Sequence, residues 1–219
     1  IELRRLQVRS NRVSAPSTAA GAGMFIRSSS GVQTLLIEGA EFARNIGPIS
    51  PIAAQLGIEG NSGTLRLRSV ALFDGIDASG LRVDVDGSAQ VVSANLTSAG
   101  NDRDGIRHEA NSGSTQALQN SLSWGNGQSD LITDNFGGGF QLFLNSTSNP
   151  GVIDAASGDY RLANDSLSID ACSPTPIAGL GTIDAQGGTR AVNGIVDCGA
   201  YEWSAEDEDG IFRSGFEAP

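Results

Sequence analysis

The sequence predicts an all-β chain, a right-handed parallel β-helix solenoid of about six coils with a C-terminal cap. Three observations predict it. Two columns of short segments recur at a spacing of 25 residues; the segments alternate apolar and polar residues; and 29 Gly, 26 Ser and 13 Asn among 219 residues supply turns between them. A unit of this size, with two or three short strands and no helix, cannot bury its own apolar face, whereas stacked units can. No segment through Asn145 keeps a 3.6-residue apolar period, and 39% apolar residues leave little for the stripes of a helix bundle. Leucine-rich and propeller repeats compete, but their Leu-x-x-Leu-x-Leu and Trp-Asp signatures are absent.

The coils occupy residues 1–149. The chain opens on Ile1-Glu2-Leu3-Arg4-Arg5-Leu6-Gln7-Val8, which already alternates like a strand. It therefore reads as the C-terminal part of a longer precursor with any export signal upstream, and its open first coil should favour association over the behaviour of a longer parent. Arg5 to Asn11 aligns with Gly39 to Asn45, then Ser69 to Gly75, Asn95 to Asn101 and Asn120 to Asn126, with Asn145-Ser146-Thr147 another 25 residues on. Residues 14–22 and 47–51 absorb the longer early intervals. The second column is Leu56-Gly57-Ile58-Glu59, Leu81-Arg82-Val83-Asp84, Ile106-Arg107-His108-Glu109 and Leu131-Ile132-Thr133-Asp134.

Period-two geometry turns that column into a site expectation. Leu56, Leu81, Ile106 and Leu131 share a parity with Ile58, Val83, His108 and Thr133, and these point inward. Gly57, Arg82, Arg107 and Ile132 point outward, as do Glu59, Asp84, Glu109 and Asp134. Four stacked carboxylates repel one another unless compensated. Arg82 and Arg107 could compensate them, or a calcium ion bound by Glu59, Asp84, Glu109 and Asp134 could do so. A solvated, Arg-balanced surface is the simpler reading. The lone His108 is expected in the core, which leaves Ser-His-Asp and His-rich metal chemistry unsupported. Asp84 with Glu109, or Asp102 with Asp104, are the pairs to consider for glycoside hydrolysis, and Arg107 is the one base a lyase could use. The strings Asp84-Val85-Asp86-Gly87, Asp102-Arg103-Asp104-Gly105 and Asp207-Glu208-Asp209-Gly210 read as turns, since none continues into an EF-hand loop. Asn95, Asn120 and Asn145 read as a structural amide ladder.

All 14 basic residues are Arg, against 25 acids, for a net charge of −11. Residues 1–70 carry 8 Arg and 4 acids, and residues 71–219 carry 6 Arg and 21 acids, so one end is basic and the rest acidic. Nucleic acid and anionic membranes are poor partners for such a chain. No apolar run approaches the length of a membrane helix. Cys172 and Cys198, with no third Cys and no nearby His, exclude a four-ligand zinc site. They read as a disulfide in an oxidising compartment, with two buried thiols as the alternative.

After Asn149-Pro150 the period breaks, and residues 150–203 read as the cap. Gly158-Asp159-Tyr160-Arg161-Leu162, the run to Ile169-Asp170-Ala171-Cys172, Asp184-Ala185-Gln186-Gly187-Gly188-Thr189-Arg190 and Val196-Asp197-Cys198-Gly199-Ala200-Tyr201-Glu202 together resemble the choice-of-anchor Q domain. The resemblance spans about residues 145–203. It implies a bacterial exported protein with pectin-lyase-like parallel β-helix repeats, joined to a surface-anchoring or sorting tail, and it transfers no catalytic motif. Cys172 and Cys198 stand where that family commonly has Gly and Ile, and their joint appearance supports mutual pairing. Leu167 replaces the usual Pro. Tyr160, Leu162, Ile169, Val196, Tyr201 and Trp203 are expected to cover the last apolar coil and its strand edge. The remainder, 204–219, is an acidic tail whose Ile211-Phe212-Arg213-Ser214-Gly215-Phe216-Glu217 resembles a sorting motif of Gram-negative exported proteins.

The function expected is that of a noncatalytic, monomeric, secreted or cell-surface module for adhesion or carbohydrate binding, with a polysaccharide or cell-surface glycan as partner. A polysaccharide lyase or glycoside hydrolase acting on acidic glycans is the alternative.

Overall fold

Short alternating segments between turn residues become strands whose apolar sides need a partner sheet, and the chain supplies it by winding back on itself. The computed structural model describes residues 1–13, 21–29, 33–48, 50, 52–192 and 194–205. Among these are fifteen strands, one 3-10 turn (Ala155–Ser157) and no α-helix. In chain order the strands are β1 (Glu2–Arg4), β2 (Gln7–Arg9), β3 (Gly21–Ser28), β4 (Thr34–Ala43), β5 (Ala54–Gly60), β6 (Thr64–Phe73), β7 (Ser79–Val85), β8 (Gln90–Ala99), β9 (Ile106–Asn111), β10 (Thr115–Gln119), β11 (Leu122–Trp124), β12 (Leu131–Phe136), β13 (Gly139–Phe143), β14 (Val152–Asp154) and β15 (Asp159–Leu162).

From β1 to β13 the chain passes back and forth between two parallel sheets. One runs β1-β4-β6-β8-β10-β13, with β2 beside β4 and β11 beside β8; the other runs β3-β5-β7-β9-β12. This is a parallel β-solenoid. Leu56, Leu81, Ile106 and Leu131 stack in register, as do Glu59, Asp84, Glu109 and Asp134, each 25 residues from the last. The larger sheet steps from Leu3 to Ile37, Glu38 to Arg68, Arg68 to Ala94 and Ala94 to Gln119, which are the expected alignments. Its last step pairs Gln119 with Phe143, a spacing of 24. Asn145 therefore falls one residue past the position expected for it.

Between the sheets lies a core that includes Ile37, Phe42, Leu56, Leu67, Leu72, Leu81, Leu96, Ile106 and Leu118. The inward parity holds for Leu56, Ile58, Leu81, Val83, Ile106 and His108, all buried. It leaves Leu131 half-buried and Thr133 exposed, because among the described residues β12 is the terminal strand of its sheet.

The coil turns one corner through left-handed residues: Arg5, Gly39, Ser69, Asn95, Asn120 and Leu144 have φ between 51° and 62°. Gly and Asn tolerate that conformation best, which explains the asparagines at 95 and 120. Their amides do not ladder with each other. Asn95 donates to Asp197 O and Asn120 to Ser173 O, while Asn145 accepts from Ser121 N.

The continuous amide ladder lies at the other end of the aligned segments. Asn11 donates to Asn45 (2.9 Å), Asn45 to Gln55 (2.9 Å), Gln55 to Asn101 (2.7 Å), Asn101 to Asn126 (2.9 Å) and Asn126 to Asp130 (2.9 Å). Gly75 holds the place where an asparagine would stand. A Cβ there would meet Asn101 Oδ1 at 2.8 Å and Gln55 Cγ at 3.0 Å, so the Gln55 side chain from the facing sheet takes the missing rung.

Residues 150–205 do not cover the end of the stack. They form a strap across the flank of the larger sheet, which overturns the expected cap placement. The antiparallel β14–β15 hairpin brings Tyr160 onto Phe73, with ring centroids 4.1 Å apart, and Tyr201 stacks on the same ring at 6.0 Å. Leu162, Ala185 and Ala200 complete a second core with Ala71, Ala99, Leu122 and Trp124, which point outward from the sheet. Crossing the strands, the strap bonds Ser173 to Asn120, Ile177 to Gln119, Ala178 to Arg68 and Thr182 to Glu38. Glu38 is buried. Burial opposes its charge, but hydrogen bonds from Thr182 and Ile183 and the charge of Arg4 outweigh it and lower its pKa. The Cys172–Cys198 disulfide forms, with Cα atoms 5.1 Å apart, and ties the outgoing and returning limbs of the strap.

Candidate functional site: the charged face of the smaller sheet

The outer face of β3, β5, β7, β9 and β12 carries the expected column. Arg27 precedes Glu59, Asp84, Glu109 and Asp134 in register, and Phe25, Gly57, Arg82, Arg107 and Ile132 form the adjacent row. Strand pleating alone puts these side chains on one surface at intervals of about 4.8 Å.

Arginines separate the carboxylates. Arg27 pairs with Glu59 at 2.7 Å and lies over the Phe25 ring at 5.3 Å. Arg82 reaches Glu109 at 3.0 Å and Asp84 at 3.5 Å. Arg107 holds Glu109 at 2.6 Å, Asp134 at 2.8 Å and Asp104 at 3.5 Å. Partial burial works against the Arg107 charge, yet the bond to Glu109 and the fields of Glu109, Asp134 and Asp104 prevail and raise its pKa. A guanidinium held this way cannot serve as a base. Among the described residues no group of three or more His, Cys, Asp or Glu side chains is disposed to hold a metal ion.

Asp102 and Asp104 lie in a bend between strands, and their carboxylates bond the backbone of other coils instead of closing a turn of their own. Asp102 accepts from Asp77 N at 2.9 Å and Asp104 from Ser129 N at 3.3 Å, each bridging neighbouring coils. Gly87 has φ 56°, as a tight turn after Asp86 requires. The string at 207–210 and the sorting motif at 211–217 lie outside the described residues.

His108 is fully buried with its Nδ1 2.5 Å from Gln116 Oε1. Gln116 Nε2 donates to Glu109 O, so its oxygen faces the ring and His108 Nδ1–H is the donor. Burial drives the His108 pKa down to about 4, with the Gln116 bond partly opposing.

Beside the acidic column, Arg27, Ser28, Ser29, Glu59, Asn61 and Asp86 line an open depression of about 310 Å³. Sequence reasoning missed it, because Arg27 lies outside the 25-residue column; the signal was the basic residue at the same parity in the preceding strand.

A second charged cluster sits inside the strap. Arg190 is buried, donates to Asp197 O at 2.5 Å and pairs with Glu202 at 3.6 Å. Burial pushes the Glu202 pKa up to about 7, with the Arg190 charge opposing and that of Asp197 adding to it. Asp184 accepts from Gln186 N and Gly188 N, and Asp197 from Asp170 N and Trp203 N. These motif residues organise the strap's own turns. Gly199 is required where the strap meets β8 and β11: it has φ 88°, and a Cβ would meet Thr97 Oγ1 at 2.6 Å and Leu122 Cδ1 at 2.8 Å.

No family model, curated protein or solved structure matches this chain.

Proposed function

We propose that the chain is a noncatalytic, right-handed parallel β-helix module of about six coils, displayed extracellularly or at the outer cell surface. It binds polysaccharide or cell-surface glycan through the outer face of the smaller sheet. The observation that carries this reading is the ion-paired ladder from Arg27 to Asp134, which presents hydrogen-bonding groups at regular intervals next to the open depression. Right-handedness is the rule for parallel crossovers in one sheet. Export is supported by the Cys172–Cys198 disulfide and by the choice-of-anchor Q resemblance of the strap segment.

Catalysis is disfavoured by the same geometry: the ladder's carboxylates are held by guanidinium groups and the imidazole is in the core. Charge selects among glycans. Glu59, Asp84, Asp86, Asp104, Glu109 and Asp134 outnumber Arg27, Arg82 and Arg107 on this surface, so polyuronates are repelled and neutral or amino-bearing sugars are favoured.

The test is calorimetric titration with neutral, amino-bearing and uronic oligosaccharides, together with assay of reducing ends. Binding of the first two classes is expected, to persist in chelator, and to weaken roughly tenfold (about 1.4 kcal/mol) in Arg82→Ala. Product release abolished by Arg107→Ala, or binding confined to uronates, would overturn the proposal.

A further inference from the structure

The stack stops at two different heights. β13 is the sixth position along its sheet and β12 the fifth along its own, so the end is a step one strand spacing deep, about 4.8 Å. Gly139 N donates to Ser114 O, and Phe143 O accepts from Asn120 N. Alternation along a parallel strand then aims the backbone groups of Phe140 and Leu142 away from β10, toward the open side. Among the described residues β12 likewise pairs, strand to strand, with β9 alone.

Among the described residues this end is apolar as well as unpaired. Phe136 is 63% exposed, Leu144 58%, Phe143 47% and Leu142 44%. Proteins usually blunt such edges with charges, prolines or a covering segment. Here the strap runs along the flank instead, and from Leu131 to Phe143 the one charged residue is Asp134, already held by Arg107 at 2.8 Å. In a chain of net charge −11, a local surface with so little uncompensated charge allows like ends to meet with little repulsion.

We propose that this stepped end is the interface of a two-fold dimer with a second copy of the chain. Rotation about an axis parallel to the strands sets the projecting β13 of each copy beside the recessed β12 of the other. The two sheets run in opposite directions around the coil, so each new pair is antiparallel. The lengths match, six residues in β12 and five in β13.

Sedimentation equilibrium from 5 to 200 µM in low and high salt tests the proposal. The expected result is a dimer of twice the chain mass, tightened by salt as the net charge on each copy is screened. Phe136→Ser, which changes an exposed side chain, and Leu142→Pro, which removes an outward N–H without touching the bonds to β10, should each weaken dimerisation tenfold or more. Unchanged melting temperatures would establish that both variants fold. A monomer at every concentration, a dimer that both variants leave intact, masses growing beyond two chains, or a dimer abolished instead by Phe25→Ser at the opposite end would overturn it.

Discussion

His108 occupies a core position that Ile58 and Val83 fill in the preceding coils, and the strand accepts an imidazole there because Gln116 Oε1 accepts a hydrogen bond from its Nδ1–H. Its Nε2 has no partner and is buried, so protonation inside the fold is unfavourable. The unfolded imidazole titrates near 6.5 and the folded one near 4. Between those values the unfolded chain binds a proton that the folded chain does not, so stability declines as pH falls through this window and levels off below it. The full loss is about 3 kcal/mol. Glu202 has the opposite sign: its raised pKa contributes stability at low pH that is lost as pH rises from about 4.5 through 7. Comparing His108→Val with the parent by urea denaturation at pH 7 and 4.5 separates the two. The variant is expected to lack the His108 share of the acid loss, and an unchanged difference between the two pH values would refute the assignment. The inward direction of His108 was legible from parity alone. Gln116 was not, because it comes from a strand of the other sheet, and period-two patterns say nothing about pairing across the core.

Among elements, the turns are stitched together by the amide ladder from Asn11 to Asp130, whose middle members Asn45, Gln55 and Asn101 are buried and satisfy side-chain and backbone groups inside the fold. Asn101 is a densely bonded, buried node of it. It accepts from Gln55 Nε2 and Gly75 N and donates to Asn126 Oδ1 and Leu72 O. Asn101→Ala should destabilise by about 2–4 kcal/mol, since several buried partners are left unpaired at once. Asn145→Ala, which loses bonds to Ser121 N and Leu118 O beside the open end, should have a smaller effect in the same denaturation series. Equal losses would mean that the ladder carries no special weight. The strand columns could be read from sequence because the smaller sheet keeps a period of 25 residues from β5 to β12 and the larger sheet comes close to it from β6 onward. The amide ladder could not, since its third rung comes from Gln55, a residue outside the aligned position, and Gly75 breaks the pattern where the eye would follow it.

At the scale of the molecule, two cores share one sheet, and the strap closes the outer one. Sequence motifs identified the strap residues but placed them over the wrong surface, because a segment without periodicity does not say what it covers. The clue was the outward-parity run of Ala71, Phe73, Ala99 and Trp124, a sheet face too apolar to meet water. Reducing Cys172–Cys198, whose partners are 26 residues apart, should remove about 3 kcal/mol and lower the melting temperature by roughly 6–12 °C. Calorimetry with and without reductant checks this, and no shift would show that the strap is held by its packing alone.

The strap is fastened at Glu38 on β4 and again at Asn120 beyond β10, with Arg68 and Thr97 between. It therefore works as a ruler laid against the stack. A coil inserted between those fastenings would lengthen the solenoid by about 4.8 Å without lengthening the strap. Repeats in this protein can be gained or lost outside the strap's span, but within it their number is set.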